Sequence, residues 1–216
     1  LRYQRGRTQL VTPMTDATLP GLAAHRRLPL PEFIAMLAFL FATIAFSIDA
    51  MLPALPDIAA DLTPDNVNRA QLILTTFVAG MGLGTLFAGP LSDAFGRKRT
   101  ITAGFAIYIA ATIAAIYAQS LEFLLVARFV QGLGAAGPRI VGLALVRDLY
   151  EGREMARISS FVMMIFIMIP AVAPTLGAGI IAISDWHGVF LAFIAFALIG
   201  ALWLNLRQAE TLPPAA

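Results

Sequence analysis

GPLSDAFGRKR, residues 89–99, separates two long apolar runs, at about 70–92 and 100–118. A segment crosses a bilayer as a helix when about 20 mostly apolar residues are available to span it, and both flanks qualify. Glycines at 89 and 96 permit a tight turn, Asp93 falls at a helix end, and Arg97, Lys98 and Arg99 follow it. Charge sign alone fits an anchor on the positive side of a membrane. The spacing of glycine, acid, glycine and cations is more than an anchor needs.

Working outward from this turn, four further runs of spanning length lie at about 33–55, 121–146, 158–183 and 188–206. Six spans fit the composition, in which 59% of the 216 residues are hydrophobic and 13% charged, about half the charge of a soluble domain. The connections alternate in charge. Arg26 and Arg27, Arg97 to Arg99, Arg147, Arg153 and Arg157, and Arg207 share one side; the other has Arg69 among Asp57, Asp61, Asp65, Glu122 and Asp185. The rule that cytoplasmic loops carry the Lys and Arg excess places both termini in the cytoplasm. Pro53, Pro90, Pro138, Pro170 and Pro174 are expected to kink spans and not to break them, because neighbouring helices can satisfy the freed carbonyls.

Several functional classes are excluded. The net charge of +2 comes from cations at the ends of apolar runs, not from a basic stripe of the kind that binds nucleic acid. There is no cysteine, hence no thiolate nucleophile or cysteine zinc site. His25 and His187 have no metal-ligand partner at suitable spacing, so neither a metal nor an enzyme site emerges, and no cofactor is expected. GLGAAG, residues 132–137, lacks the strand and helix context of a dinucleotide site. The first apolar run is longer than a signal-peptide core and has no cleavage pattern behind it; Met14 is a candidate start.

Polar residues inside spans point to function. An arginine at the centre of a membrane helix costs at least about 2.5 kcal/mol and by default faces the bundle interior, so Arg128 in LLVARFVQGLGAAG, residues 124–137, needs a reason to be there. Asp49 in SIDAMLPALP, residues 47–56, is the only acid well inside the first span. The first span runs outward and the fourth inward. At about 1.5 Å per residue, Asp49 and Arg128 both fall about 7–8 Å to the outer side of the midplane, where they are expected to meet if the helices pack. Asp49 is the proton-coupling candidate; the alternative is a capped, solvated acid near the outer mouth. Arg139, eleven residues after Arg128, shares its helical face and either lines the inner cavity or snorkels to the interface.

Residues 89–99 resemble the loop between helices two and three of the major facilitator superfamily, G-x-L-x-D-x-x-G-R-K/R, through Gly89, Leu91, Asp93, Gly96, Arg97 and Lys98; Ala94 departs from the basic residue often found there. Leu124, Arg128, Gln131, Gly132, Gly134, Ala135 and Ala136 match the family's fourth-helix pattern, L-x-x-x-R-x-x-Q-G-x-G-A-A. The resemblance implies that the acid and arginine of the loop form a charge lock that gates the transporter, with Asp148 as the local partner of Arg97. It also implies that Arg128 tunes a nearby acid. PAVAPTLGAG, residues 170–179, resembles the antiporters' fifth-helix motif: Pro174 and Gly177 match, while Ile169, Ala173 and Ala178 replace its glycines. A span with Pro170, Pro174 and Gly177 is expected to be a pliable seal over the cavity. Gln131 and Gly132 are expected to serve cavity lining or helix packing.

SIDAMLPALP, GPLSDAFGRKR, Arg147 to Tyr150 and the closing ETLPP together resemble the bicyclomycin- and chloramphenicol-resistance (Bcr/CflA) branch of the drug:proton antiporters. Phe41 stands where some relatives carry a second acid, so broad cation export is not implied. The resemblance implies an all-α membrane fold, a three-plus-three inverted repeat of six helices forming half of a twelve-helix transporter in the bacterial inner membrane. The expected domains are a basic cytoplasmic tail over 1–30, the six-helix N-terminal half over 31–207, and the start of a central linker over 208–216. The expected function is proton-coupled efflux of a drug or small metabolite, conferring multidrug or antibiotic resistance. Its partners are a small-molecule substrate, protons, the lipid bilayer, and a missing C-terminal half or second copy. The alternatives are a non-transporting half that only assembles with a partner, and a uniporter.

Overall fold

The computed structural model describes residues 28–211; the terminal residues before and after, with Met14, His25, Arg26, Arg27 and most of ETLPP, lie outside them. Seven α-helices make six membrane-length segments, and no strand occurs among the described residues. They are α1 (Leu30–Asp49), α2 (Leu55–Leu62), α3 (Leu72–Phe95), α4 (Arg97–Ile116), α5 (Leu121–Leu149), α6 (Gly152–Ile183) and α7 (Trp186–Arg207).

The first span corrects one expectation. α1 ends at Asp49, and a 3-10 turn over Leu52–Ala54 separates it from α2. Pro53 has no N–H to give the Asp49 carbonyl and Pro56 has none for the Leu52 carbonyl. Two such losses three residues apart exceed a kink, and the chain changes helix type. Pro90, Pro138, Pro170 and Pro174 do remain inside continuous helices.

Two other boundaries differ because hydropathy marks the bilayer and not the helix. α4 starts at Arg97, so Gly96 alone makes the turn, at φ 102°, a backbone region that only glycine enters cheaply. α6 starts at Gly152, six residues before the apolar run begins, and carries Arg153, Glu154 and Arg157 in its first turns.

α1 and α5 form the centre. Of the most apolar stretch of the segments containing them, 72% and 67% is buried, against 17% to 33% in the other four. α5 packs along α3 and α4, while α1 packs along α6 and α7. Small residues set the α5 contacts, as close helix approach in lipid requires: a Cβ on Gly132 would lie 2.1 Å from the Phe77 carbonyl oxygen. Gly80 and Gly84 also face α5, so their spacing serves packing within the bundle.

Each end is tied by polar contacts. At the end holding the α3–α4 turn, Arg207 donates to both Glu32 oxygens at 2.6 and 2.7 Å, joining α7 to α1. At the other end, Trp186 donates to Asp61 at 2.7 Å and Arg69 pairs with Glu122 at 2.8 Å. Outward-facing positions are apolar, including Leu86, Ile167 and Leu202.

Candidate functional site

The turn at Gly96 places three cations on the first turn of α4, where a helix dipole disfavours positive charge. Carboxylates from three other elements compensate. Arg97 donates through Nε to Asp148 Oδ2 at 2.9 Å and through Nη1 to Ser92 Oγ at 2.7 Å, and it pairs with Asp93. The Arg97 side chain is buried, so these bonds are poorly screened by water.

Glu210, just past α7, accepts from the backbone N–H of Arg97 at 2.8 Å and of Lys98 at 3.1 Å. It caps α4 from a position 113 residues away in the sequence. Thr211 donates its hydroxyl to Asp148 at 3.1 Å, and Lys98 Nζ donates to the Asn205 carbonyl at 2.8 Å. The cluster therefore links α3, α4, α5 and the segment after α7. Glycine is needed at 96 twice over, because a Cβ there would also lie 2.6 Å from Glu210 Oε2. Gly96→Ala adds the strain of positive φ, of order 1–3 kcal/mol, and displaces the cap, worth about 1 kcal/mol. Amide exchange at Arg97 and Lys98 is expected to accelerate at least tenfold. Gly89 has open space around it, so Gly89→Ala should leave that exchange unchanged.

The second site is the interior around Arg128, which is fully buried. Its guanidinium donates to Gln131 Oε1 at 2.6 Å, to the Ser47 carbonyl at 3.0 Å and to the Ile73 carbonyl at 3.4 Å, and it stands 4.4 Å from the centre of the Phe77 ring. Gln131 donates to Thr112 Oγ1 at 2.7 Å, and Thr112 donates to the Tyr108 carbonyl at 2.6 Å. The Tyr108 and Ser47 hydroxyls share a 2.5 Å hydrogen bond. A closed polar network thus joins α1, α3, α4 and α5. Tyr108 and Thr112 carry no charge and sit in a long apolar run, which is why the sequence did not single them out.

Asp49 and Arg128, placed at the same depth by their positions along two helices, form no ion pair, and the Arg128 guanidinium has other partners. Arg128 is bound to the Ser47 carbonyl instead. Two residues along a helix is a rotation of about 200°, so Asp49 leaves α1 on nearly the opposite side from Ser47; equal depth did not imply equal azimuth. Asp49 is half-buried at the last residue of α1, and has no hydrogen-bond or ion-pair partner among the described residues. Arg139 is half-buried further along α5 and makes no ion pair among the described residues. On α6, Pro170 is exposed, Pro174 is half-buried and Gly177 is buried. A Cβ on Gly177 would lie 2.2 Å from the Ala50 carbonyl oxygen, so α6 rests against the backbone where α1 breaks.

Residues 36–215 match the family model described as Major Facilitator Superfamily. The chain is 33% identical over 189 residues to the uncharacterized MFS-type transporter YdgK of Bacillus subtilis (strain 168), covering 87% of this chain and 46% of that one. It is 34% identical over 181 residues to a bicyclomycin resistance protein homolog of Haemophilus influenzae, covering 83% and 45%. With the multidrug resistance protein MdtL of Escherichia coli (strain K12) it shares 37% over 171 residues, covering 78% and 43%. The chain spans about half the length of the curated relatives it matches. Among solved structures, the human organic anion transporter MFSD10 (TETRAN) superposes with a TM-score of 0.65 at 16% identity, over 87% of this chain and 49% of that one, a likeness of fold alone. The six apolar helices, the charged turn at Gly96 and the buried arginine of α5 therefore sit in a chain that belongs to the major facilitator superfamily.

Proposed function

We propose that this chain supplies the N-terminal half of a proton-coupled efflux transporter that exchanges a drug or small metabolite for protons across a bacterial inner membrane. The observation that carries the reading is Arg128: a fully buried cation with no carboxylate partner among the described residues, holding the last turn of α1 beside Asp49. A charge so placed in a membrane span is costly and marks a transport pathway by default. Asp49 takes up and releases the proton, and the field of Arg128 acts on it through the end of α1. Asp93, Arg97 and Asp148 hold the cytoplasmic side closed, and both termini face the cytoplasm. α6, resting on Ala50 through Gly177, seals one flank of a cavity completed by a second half. The efflux class is favoured by the drug-resistance names of two relatives.

The test is substrate-induced proton release in inverted vesicles, with the chain expressed alone and joined to whatever reading frame follows it. Asp49→Asn is expected to insert normally and to lose at least tenfold of proton-driven export. Unchanged export would remove Asp49 from coupling. Flux indifferent to the proton gradient would make the protein a uniporter, and insertion without flux from either length would make it a non-transporting half.

A further inference from the structure

α3 and α4 diverge from the Gly96 turn and leave a 410 Å³ groove between them, open to the outside of the bundle. Its walls are apolar: Phe87, Leu91 and Phe95 on α3 and Ala103 and Ile107 on α4, with Gly84, Gly104 and Gly137 giving it depth. Arg99 stands at the end nearest the turn. Of the three cations there, Arg97 is held between Asp93 and Asp148, and Lys98 donates to Asn205. Arg99 is exposed and has no hydrogen-bond or ion-pair partner among the described residues.

An apolar trench with one free cation at its membrane-surface end matches an amphiphile with an anionic head. From Arg99 to Ile107 the trench runs about 12 Å at 1.5 Å per residue, close to the ~15 Å hydrocarbon depth of one leaflet. A groove of similar size between α1 and α6, 380 Å³, has both Glu154 and Arg157 in its lining and so selects neither sign of charge.

We propose that the α3–α4 groove holds one acyl chain of an anionic phospholipid whose phosphate binds Arg99. The lipid comes from the leaflet that meets the α3–α4 turn. Bound there, it fills the cleft beside the turn and supplies Arg99 with an acceptor, as Arg97 and Lys98 already have within the protein, in the manner of basic pockets between membrane helices that hold acidic headgroups.

The full-length protein is reconstituted in nanodiscs of equal phosphatidylglycerol and phosphatidylcholine, with a trace of one or the other carrying a diazirine midway along an acyl chain. After irradiation, adducts are mapped by peptide mass spectrometry. Adducts are expected to concentrate on residues 84–91 and 99–107, about fivefold more from phosphatidylglycerol, as one charge near the surface provides. Arg99→Gln should bring phosphatidylglycerol labelling down to the phosphatidylcholine level and leave the latter unchanged. Ala103→Trp, which fills the trench, should cut both at least fivefold. Labelling spread evenly over the outward faces of all six spans, labelling indifferent to headgroup or to Arg99, or a groove shielded from lipid by another helix would each overturn the proposal.

Discussion

Arg128→Met is expected to leave the protein folded and to reduce transport at least a hundredfold. The two effects separate because the energies that hold the arginine nearly cancel. Placing its charge in a membrane span costs about 2.5–3.5 kcal/mol on insertion scales. Its bonds to Gln131 Oε1 and to the Ser47 carbonyl each return about 1.5–3 kcal/mol, as hydrogen bonds to charged groups do. Methionine removes the cost and the gain together and occupies much of the same space. The Gln131 amide nitrogen keeps its bond to Thr112, but its buried Oε1 loses the arginine donor, a cost of about 1–3 kcal/mol, so the unfolding midpoint should fall by several degrees without loss of the fold. What methionine cannot replace is the positive field beside the end of α1. Arg128→Lys keeps that charge but not the fork that reaches Gln131 and Ser47 together, and should retain intermediate activity. Both variants are compared by proton release in inverted vesicles and by thermal unfolding in detergent. If activity and stability fall in parallel, Arg128 is a packing element and its coupling role is lost.

The parts of this fold that were legible in the sequence are those lipid enforces. A span must bury every backbone polar group in its own helix and face hydrocarbon, so six continuous apolar runs were visible, as was the charged turn at 89–99. The break after Asp49 was not. Pro53 looks like Pro90 or Pro138 on the page, and only the second proline at 56 and the packing of Gly177 against Ala50 distinguish it. The Asp49–Arg128 contact was expected from depth along two helices, a quantity that sequence position sets well. Azimuth decides contact, and it depends on how α1 rotates against α5. The pairing of Arg97 with Asp148, 51 residues away, was implied by the family resemblance and not by local spacing. Glu210 was not, because a cap donated across 113 residues leaves no local pattern beyond an acid following the last span.

Gly132→Leu is expected to abolish the folded protein, and Gly132→Ala to weaken it severely, because this residue fixes the distance between α3 and α5. A Cβ at 132 would stand 2.1 Å from the Phe77 carbonyl oxygen and 2.8 Å from the Met81 nitrogen. Both are backbone atoms within α3, so relief requires the whole helix to move. Overpacking of this kind costs about 1–3 kcal/mol even where side chains can yield; here the displacement is passed along the interface. One helical turn before Gly132 is Arg128, and one turn before Phe77 is Ile73, whose carbonyl Arg128 already reaches only at 3.4 Å. Moving α3 outward by the ångström or so needed to bring that 2.1 Å approach to an ordinary contact breaks the bond to Ile73. Gly132→Ala should therefore lose transport as well as several degrees of unfolding midpoint, at about 2–4 °C per kcal/mol for a domain of this size. Gly82 and Gly179 provide the control, since a Cβ on either meets nothing within 4 Å. Replacing them by alanine should leave transport intact and raise stability by up to about 1 kcal/mol through helix propensity alone. Fluorescence-detected size-exclusion after stepwise heating reads all four variants. A Gly132→Ala protein as stable and active as the Gly82→Ala one would mean that α3 and α5 do not approach as closely as the backbone contact at Phe77 requires.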